Sequence, residues 1–246
     1  MKHLKILNIA LILILTLLIP SAAFAMHISE GILPFLWALF WFAMSAPFLA
    51  LGLKELARRS KLDLSTKPLA GMVAAMVFVI SCMPIPIPTA GTCSHPCGTG
   101  LAAVLLGPTI GVLVAAVALM IQALFLSHGG ITTWGANLFA MGVIGSFAGY
   151  MAFRALRFFG AGLVASAFAA GLIADWATYT TTAIILAAGI SGGTPFWPLF
   201  VKIVIAFVPT QLPLGIIEGA ISAGVVSMLS RKRPDLLART ALFGKK

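Results

Sequence analysis

Charged residues are scarce in this sequence. Only 9% of its 246 residues are charged and six are acidic, whereas 61% are hydrophobic and the mean hydropathy is +1.09. Soluble domains contain about a quarter charged residues. The composition therefore excludes an ordinary water-soluble protein and indicates an integral membrane protein.

Two common motifs are also missing. The sequence contains no His-Glu-x-x-His zinc motif and no Gly-x-x-x-x-Gly-Lys-Ser/Thr phosphate loop. We therefore expect that the chain is not an enzyme. If it moves a solute with the energy of ATP, another subunit must hydrolyse the nucleotide.

Most of the positive charge lies in two clusters. Eleven of the sixteen Lys and Arg residues fall within residues 54–67 and 231–246. Basic clusters beside apolar segments are topology signals that mark the cytoplasmic side of a membrane. We therefore expect no nucleic-acid partner, despite the net charge of +10.

The N-terminus has the three parts of a secretion signal. Lys2 and Lys5 precede an apolar run at 6–19, and Ala23-Phe24-Ala25 fits a small-residue cleavage pattern. An uncleaved anchor is the alternative, but the run is shorter than the roughly 20 residues that a spanning helix needs. We predict that residues 1–25 are a cleaved signal peptide.

Seven apolar segments follow the predicted cleavage site. They are 33–53, 68–83, 99–106, 109–126, 138–153, 161–188 and 196–229. Counting the short segment 99–106 as a crossing places every basic cluster, including Arg154 and Arg157, on one side. The predicted fold is an all-α integral membrane protein with about seven transmembrane helices, one of them short or broken. A transmembrane metal-binding domain at 26–230 would have its N-terminus outside, and a basic tail at 231–246 would be cytoplasmic.

The short segment marks the region where we expect the functional site, residues 84–107. Pro84, Pro86 and Pro88 exclude a helix before it, and Gly107-Pro108 breaks the chain after it. Irregular backbone is tolerated at membrane depth only where it is buried in protein or lines a cavity.

Cleavage after Ala25 would create a metal chelate. The new α-amine of Met26, the His27 amide nitrogen and the His27 imidazole would close a five-membered and a six-membered ring on one ion. These coplanar nitrogens leave a fourth position, for which His95 is the candidate. A planar all-nitrogen site suits Ni(II) or Cu(II), whereas Zn(II) prefers a tetrahedral shell. This chemistry alone favours nickel over cobalt.

Asp175 and Glu218 are acidic residues inside predicted spans, where a carboxylate is a functional candidate because its insertion is unfavourable. A structural alternative is that the hydroxyls of Thr178 and Tyr179 satisfy Asp175. Gln211, two turns from Glu218 on the same helix face, offers the same alternative there.

The cysteines leave two interpretations open. Cys93 and Cys97 flank His95, and they would either form a disulfide outside the cytoplasm or offer soft thiolates to a metal. Cys82 is predicted to be a small buried apolar residue.

Four stretches resemble the substrate-binding membrane subunits of cobalt and nickel energy-coupling-factor (ECF) transporters, the CbiM/NikM family. They begin with Met26-His27-Ile28-Ser29-Glu30-Gly31, Cys93-Ser94-His95-Pro96, His128-Gly129-Gly130 and Gln211-Leu212-Pro213. The resemblance covers most of the chain from Met26 to Leu229. Cys97 departs from the family pattern, which more usually has Thr there.

The resemblance implies a set of ligands for the transported ion. Met26, His27 and His95 would supply the metal nitrogens. Three further side chains would support them: Ser94, His128 and Asn137. No resident cofactor is implied, because Co2+ or Ni2+ would be bound as the substrate.

The resemblance also implies partners and a location. The partners would be a transmembrane coupling subunit, cytosolic ATPase subunits and a small accessory membrane subunit, in the plasma membrane of a bacterium or archaeon. The Ser-His-Pro form resembles the cobalt-importing branch. We therefore expect the substrate-specific component of an ATP-driven cobalt importer that serves cobalamin biosynthesis.

Three alternatives stay open. Nickel importers of the family share the Ser-His-Pro form. A stand-alone secondary permease would need coupling carboxylates, for which Asp175 and Glu218 are the candidates. An intramembrane metalloenzyme would need an open metal position and a general base, and no such base stands near His27 or His95 in the sequence.

We predict that one extra residue before Met26 in the mature chain abolishes high-affinity metal binding without preventing membrane insertion, because the free amine then no longer closes the five-membered ring with the His27 amide nitrogen that leaves the fourth position to His95. Calorimetric titration with Ni(II) and Co(II) measures this. A chain with the same residue added after Lys246 is the matched control. Full binding by the N-terminally extended chain would contradict the chelate.

Overall fold

A computed structural model describes residues 27–82, 85–87 and 92–239 of the chain. The predicted signal peptide, Met26 and the last residues of the predicted basic tail lie outside these described residues. The described elements, in chain order, are α1 (Phe35–Leu62), α2 (Thr66–Ser81), β1 (Ile85–Ile87), β2 (Thr92–Ser94), α3 (Thr99–Leu106), α4 (Pro108–Phe125), α5 (Trp134–Phe158), α6 (Leu163–Gly189), α7 (Phe196–Lys232) and α8 (Pro234–Arg239).

Five of these helices are long and apolar enough to cross a membrane: α1, α4, α5, α6 and α7. The apolar helix α2 is shorter, with 16 residues, and α3 has only eight. Together they confirm the predicted all-α membrane fold of about seven helices with one short member. Large apolar side chains on α1 and α7, such as Phe35, Leu36 and Trp197, point out of the bundle, as lipid-facing residues do.

The first helix is longer than its apolar segment predicts. α1 continues to Leu62, so most basic residues of the cluster at 54–67 lie on its last turns, and the connection to α2 is only 63–65. Glu55 pairs with Arg58 and Arg59 at 2.8 and 2.6 Å, which are i,i+3 and i,i+4 spacings. Such pairs favour a helix beyond the end of the apolar run.

The last long helix is continuous. Proline usually ends or kinks a helix, but α7 runs through Pro209 and Pro213 without a break. Membrane helices tolerate proline when neighbouring side chains satisfy the freed backbone groups. Near these prolines, Trp176 Nε1 of α6 donates to the Gln211 carbonyl at 3.1 Å.

The half-helix α3 lies inside the bundle. All eight of its residues are buried, and it packs against α4, α5 and α6. Gly98 and Gly107 at its two ends have φ of +71° and +87°, values that favour glycine. Arg59 Nη1 donates to the Leu106 carbonyl at 2.8 Å and so satisfies a backbone group at the C-terminal end of α3.

A short antiparallel pairing of β1 and β2 precedes α3, with Ile85 opposite Ser94. The described part of the proline-rich stretch, Ile85–Ile87, is therefore extended, as the alternating prolines predict. The pairing leads directly from Ser94 into His95 and the start of α3.

We predict that Gly149→Ala destabilises the fold, whereas Gly224→Ala does not. A Cβ atom on Gly149 of α5 would lie 2.7 Å from the Ala170 carbonyl oxygen and 2.9 Å from Gly100 Cα, whereas one on Gly224 would meet no atom within 4 Å. Overpacking of this kind typically costs about 1–3 kcal/mol. Thermal unfolding of both variants in detergent measures the difference, and equal midpoints would contradict the close approach of α3, α5 and α6.

Candidate metal centre

Three histidines from distant parts of the chain meet at one end of the bundle. His27 lies before α1, His95 between β2 and α3, and His128 between α4 and α5. The ring centroid of His27 is 5.0 Å from that of His95 and 5.3 Å from that of His128. One ring nitrogen of each histidine lies within 4.8 Å of the others, so the three are close enough to share one ion after small shifts.

A hydrogen bond sets the tautomer of His27. Its Nε2 lies 2.9 Å from Gln122 Oε1, while Gln122 Nε2 donates to the Ser81 carbonyl at 3.2 Å and to the Ser81 hydroxyl at 2.8 Å. Because the Ser81 carbonyl can only accept, the amide oxygen of Gln122 must face the histidine. His27 Nε2 therefore carries the proton, and Nδ1, the atom that the predicted six-membered ring needs, keeps its lone pair.

His95 is held by its own backbone. Its Nδ1 lies 2.6 Å from the Pro96 carbonyl, which makes Nδ1 the donor and leaves Nε2 as the ligand atom. Tyr179 of α6 bridges the backbone of His95: its hydroxyl accepts from the His95 amide at 2.9 Å and donates to the His95 carbonyl at 3.1 Å. The imidazole therefore sits on a rigid loop that is anchored to α6.

The three imidazoles are electrically neutral. Burial lowers the pKa of His27 to about 3, with a further contribution from nearby His128, and burial lowers the pKa of His128 to about 4. Burial, with His27 and His128 beside it, also holds the pKa of His95 well below its ordinary value. At neutral pH, a metal ion would not have to displace a proton from any of these rings.

The segment around His27 is docked on the loop that precedes α5 and on the first turn of α5. The Ile28 amide donates to Asn137 Oδ1 at 2.8 Å, and Asn137 Nδ2 returns a hydrogen bond to the Ile28 carbonyl at 3.2 Å. The Glu30 carboxylate accepts from the Thr132 amide at 3.1 Å. These contacts place the His27 ring inside the protein.

Two glycines allow this docking. A Cβ atom on Gly129, whose φ is +84°, would lie 3.0 Å from His27 Cβ, and one on Gly130 would lie 2.6 Å from Glu30 Cα. Any side chain at Gly130 would therefore displace the N-terminal segment.

A small cavity lies between His27 and His95. Its volume of about 10 Å³ is near the minimum for one water molecule or ion. Cys97, Thr178 and Tyr179 also line it, as does Met141 from a π-helical stretch of α5, Leu138–Gly145, that begins directly after Asn137. Such stretches often occur at functional sites.

The structure brings together most of the residues predicted for the site. His27 and His95 are adjacent, and Asn137 holds the backbone beside His27. His128, which we expected only to support the ligands, is nearly as close to His27 as His95 is. Met26 lies outside the described residues, so its role stays a prediction.

Ser94 supports the site from further away. Its hydroxyl shares a 2.7 Å hydrogen bond with Thr210 and accepts a short one from Gln211, both on α7. It therefore anchors the loop that carries His95 rather than joining the three histidines.

Sequence reasoning missed two residues of the centre, Gln122 and the Tyr179 hydroxyl that bridges His95. Gln122 is a buried polar side chain in α4, a helix composed almost entirely of apolar residues. A polar residue in a membrane span is a signal for function, and that signal was available in the sequence.

The predicted structural partners of the buried carboxylates are wrong. Thr178 donates to the Ala174 carbonyl at 2.7 Å and Tyr179 bonds to His95, so neither hydroxyl satisfies Asp175. Glu218 instead accepts from the amides of Cys97 and Gly98.

Cys97 is a free thiol in the described part of the chain, and the side chain of Cys93 lies outside what the structure describes. Its Sγ lies 3.9 Å from Asp175 Oδ1. Burial, with Glu218 and Asp175 adding to it, holds the pKa of the Cys97 thiol well above its ordinary value.

Comparison with known proteins shows which family this chain belongs to. The sequence model of CbiM, described as "Cobalt uptake substrate-specific transmembrane region", matches residues 27–236. The chain belongs to the CbiM family. It is therefore a multi-pass membrane protein of a transport family rather than of an enzyme family.

Curated relatives and solved structures agree with this membership. The chain is 64% identical over 223 residues to a "Cobalt transport protein CbiM" of Geobacter sulfurreducens, covering 91% of this chain and 64% of that protein. It is 56% identical to the protein of that name in Sorangium cellulosum, covering 87% of this chain and 95% of the relative. The crystal structure of a truncated transition metal transporter superposes with a TM-score of 0.76 and 31% identity, covering 84% of this chain and 99% of that one.

We predict that Gln122→Met lowers metal affinity by about 10–100-fold, the usual effect of removing a group that orients a metal-ligating histidine. Gln122→Glu keeps an acceptor for His27 Nε2 and should lose less. Calorimetric titration with Co(II) and Ni(II) ranks the variants. If Gln122→Met bound as tightly as the unsubstituted chain, Gln122 would not be setting the His27 tautomer.

Proposed function

We propose that this chain is the substrate-binding membrane component of an importer for a divalent transition metal, with cobalt as the first candidate. The observation that carries the proposal is the docked N-terminal segment, which holds His27 beside His95 inside a membrane bundle of the CbiM family. The names of the relatives from Geobacter and Sorangium, both cobalt transport proteins, support cobalt.

The proposed binding step uses four nitrogens. The ion is chelated by the Met26 amine, the His27 amide nitrogen and His27 Nδ1, and His95 Nε2 completes the plane. The tautomers set by Gln122 and by the Pro96 carbonyl support this assignment, because they leave these two ring nitrogens without a proton. The ring centroid of His128 lies 5.3 Å from that of His27, so His128 is either an additional ligand or a neighbour that orients the His27 ring.

Nickel import is the second candidate, and the donor set favours it. A planar shell of four nitrogens suits Ni(II), and displacement of an amide proton requires a metal that gains strongly from a planar field. The resemblance to cobalt transport proteins and the ligand chemistry therefore point to different ions of one class. Competitive titration of one preparation with both metals separates them.

The proposed transport cycle depends on partner proteins. The sequence contains no phosphate loop, so ATP would be hydrolysed by cytosolic ATPase subunits that act through a transmembrane coupling subunit and an accessory membrane subunit. The ion binds on the extracytoplasmic face, the component reorients, and the ion leaves on the cytoplasmic face. The product would supply cobalamin biosynthesis in a bacterial or archaeal cell.

We predict that uptake of radioactive cobalt by cells expressing the whole transporter falls to background when the phosphate-loop lysine of the partner ATPase is replaced. Metal binding by the purified component should be unchanged. His95→Ala should instead lose both binding and uptake, because it removes a ligand. Uptake that survives the ATPase substitution would contradict the proposal and favour a stand-alone permease.

A further inference from the structure

A second group of potential metal ligands lies next to the three histidines. Cys97 Sγ and one carboxylate oxygen each of Asp175 and Glu218 lie within 4.8 Å of one another, and all three residues are buried. An ion bound at about 2.0–2.3 Å from each atom requires the atoms to be no more than about 4.5 Å apart. The group is therefore within a few tenths of an ångström of a binding geometry.

One oxygen of this group has no partner among the described residues. Asp175 Oδ2 has no hydrogen bond there, although its side chain is wholly inaccessible to solvent. Almost all buried polar atoms in proteins have a partner, and an exception indicates a missing ligand or a functional role. Within the described residues, the other oxygen accepts a long contact of 3.9 Å from the Cys97 thiol.

The described chain also supplies no ion-pair partner for the two carboxyl groups. Among the described residues, the ion pairs involve Glu55 and Asp235, and no Lys or Arg pairs with Asp175 or Glu218. Two carboxylates in a low-dielectric interior are strongly unfavourable without a counter-charge. A single divalent cation would neutralise both.

The group lies deeper in the bundle than the histidines. Asp175 precedes Tyr179, which holds His95, by four residues on α6, or about 6 Å along the helix. Cys97 lines the same cavity as His27 and His95 and also contacts Asp175, so it connects the two places. One turn beyond Glu218 on α7, Ser222 Oγ is another buried atom without a partner.

We propose that Cys97, Asp175 and Glu218 form a second site for a divalent transition-metal cation, one helical turn below the histidine centre. A thiolate and two carboxylates provide one soft and two hard donors, a set suited to borderline ions such as Co(II). Binding releases the proton of the Cys97 thiol, together with any proton on the two carboxyl groups, to solvent. Glu218 already accepts from the amides of Cys97 and Gly98, which fixes one donor in place.

On its way inward, the ion would pass from the nitrogen ligands of the histidine centre to the sulfur and oxygen ligands of the second site. Cys97 borders both sites. That sequence of events rests on the proposed function. The existence of the second site does not, because it depends only on the three side chains.

The test uses the mature full-length chain in detergent and Co(II) as the probe. The sequence has three cysteines, so in a Cys82→Ser, Cys93→Ser background Cys97 is the only thiol. Saturating Co(II) should produce a near-ultraviolet thiolate-to-cobalt charge-transfer band, with two ions bound per chain. Adding Cys97→Ser or Asp175→Asn should remove the band and lower the stoichiometry to one.

A further variant, His27→Ala, separates the two sites. The charge-transfer band should persist when the histidine centre is lost. No band in the background variant, or a band that disappears with His27→Ala, would overturn the proposal, the latter by making Cys97 a ligand of the histidine centre. Two ions with a persistent band but no ATPase-dependent uptake would keep the second site and refute the proposed function.

Discussion

The half-helix α3 is the constraint on which the rest of this structure depends. A helix that ends inside a membrane bundle leaves amides at one end and carbonyls at the other, and the surrounding protein must satisfy them. Glu218 accepts from Cys97 and Gly98 before α3, and Arg59 donates to the Leu106 carbonyl at its end. α1 and α7 thereby fix the depth and direction of α3.

The histidine centre follows from that placement. His95 precedes α3 by a few residues, so the anchoring of α3 determines where the His95 ring lies. Tyr179 then holds the His95 backbone against α6, and Asn137 brings the N-terminal segment to the same place. Ring orientation is set separately, by Gln122 for His27 and by the Pro96 carbonyl for His95. The site is thus built from rigid elements, which is what selective metal binding requires.

The two ligand groups differ in how well the protein satisfies them. The imidazoles are neutral, and hydrogen bonds orient those of His27 and His95. These two rings can therefore bind a metal ion without first losing a proton or turning. The carboxyl groups of Asp175 and Glu218 are buried, and among the described residues no Lys or Arg pairs with either of them and Asp175 Oδ2 has no hydrogen bond. Proteins keep such unfavourable groups mainly where function needs them. The two groups therefore differ both in the atoms that they offer a metal ion and in how well the protein satisfies those atoms.

The sequence by itself determined the membrane class, the approximate helices, the break at Gly107-Pro108 and the pairing of His27 with His95. These follow from composition, apolar length, proline geometry and ligand chemistry, all of which are local. It did not determine that α1 continues through its basic residues or that α7 continues through its prolines, because neighbouring side chains decide both. Only the tertiary structure showed that His128 joins the centre, that Gln122 orients His27 and that Cys97 faces Asp175. Those contacts join residues far apart in the chain, and no local pattern records which buried polar groups will meet once the helices pack.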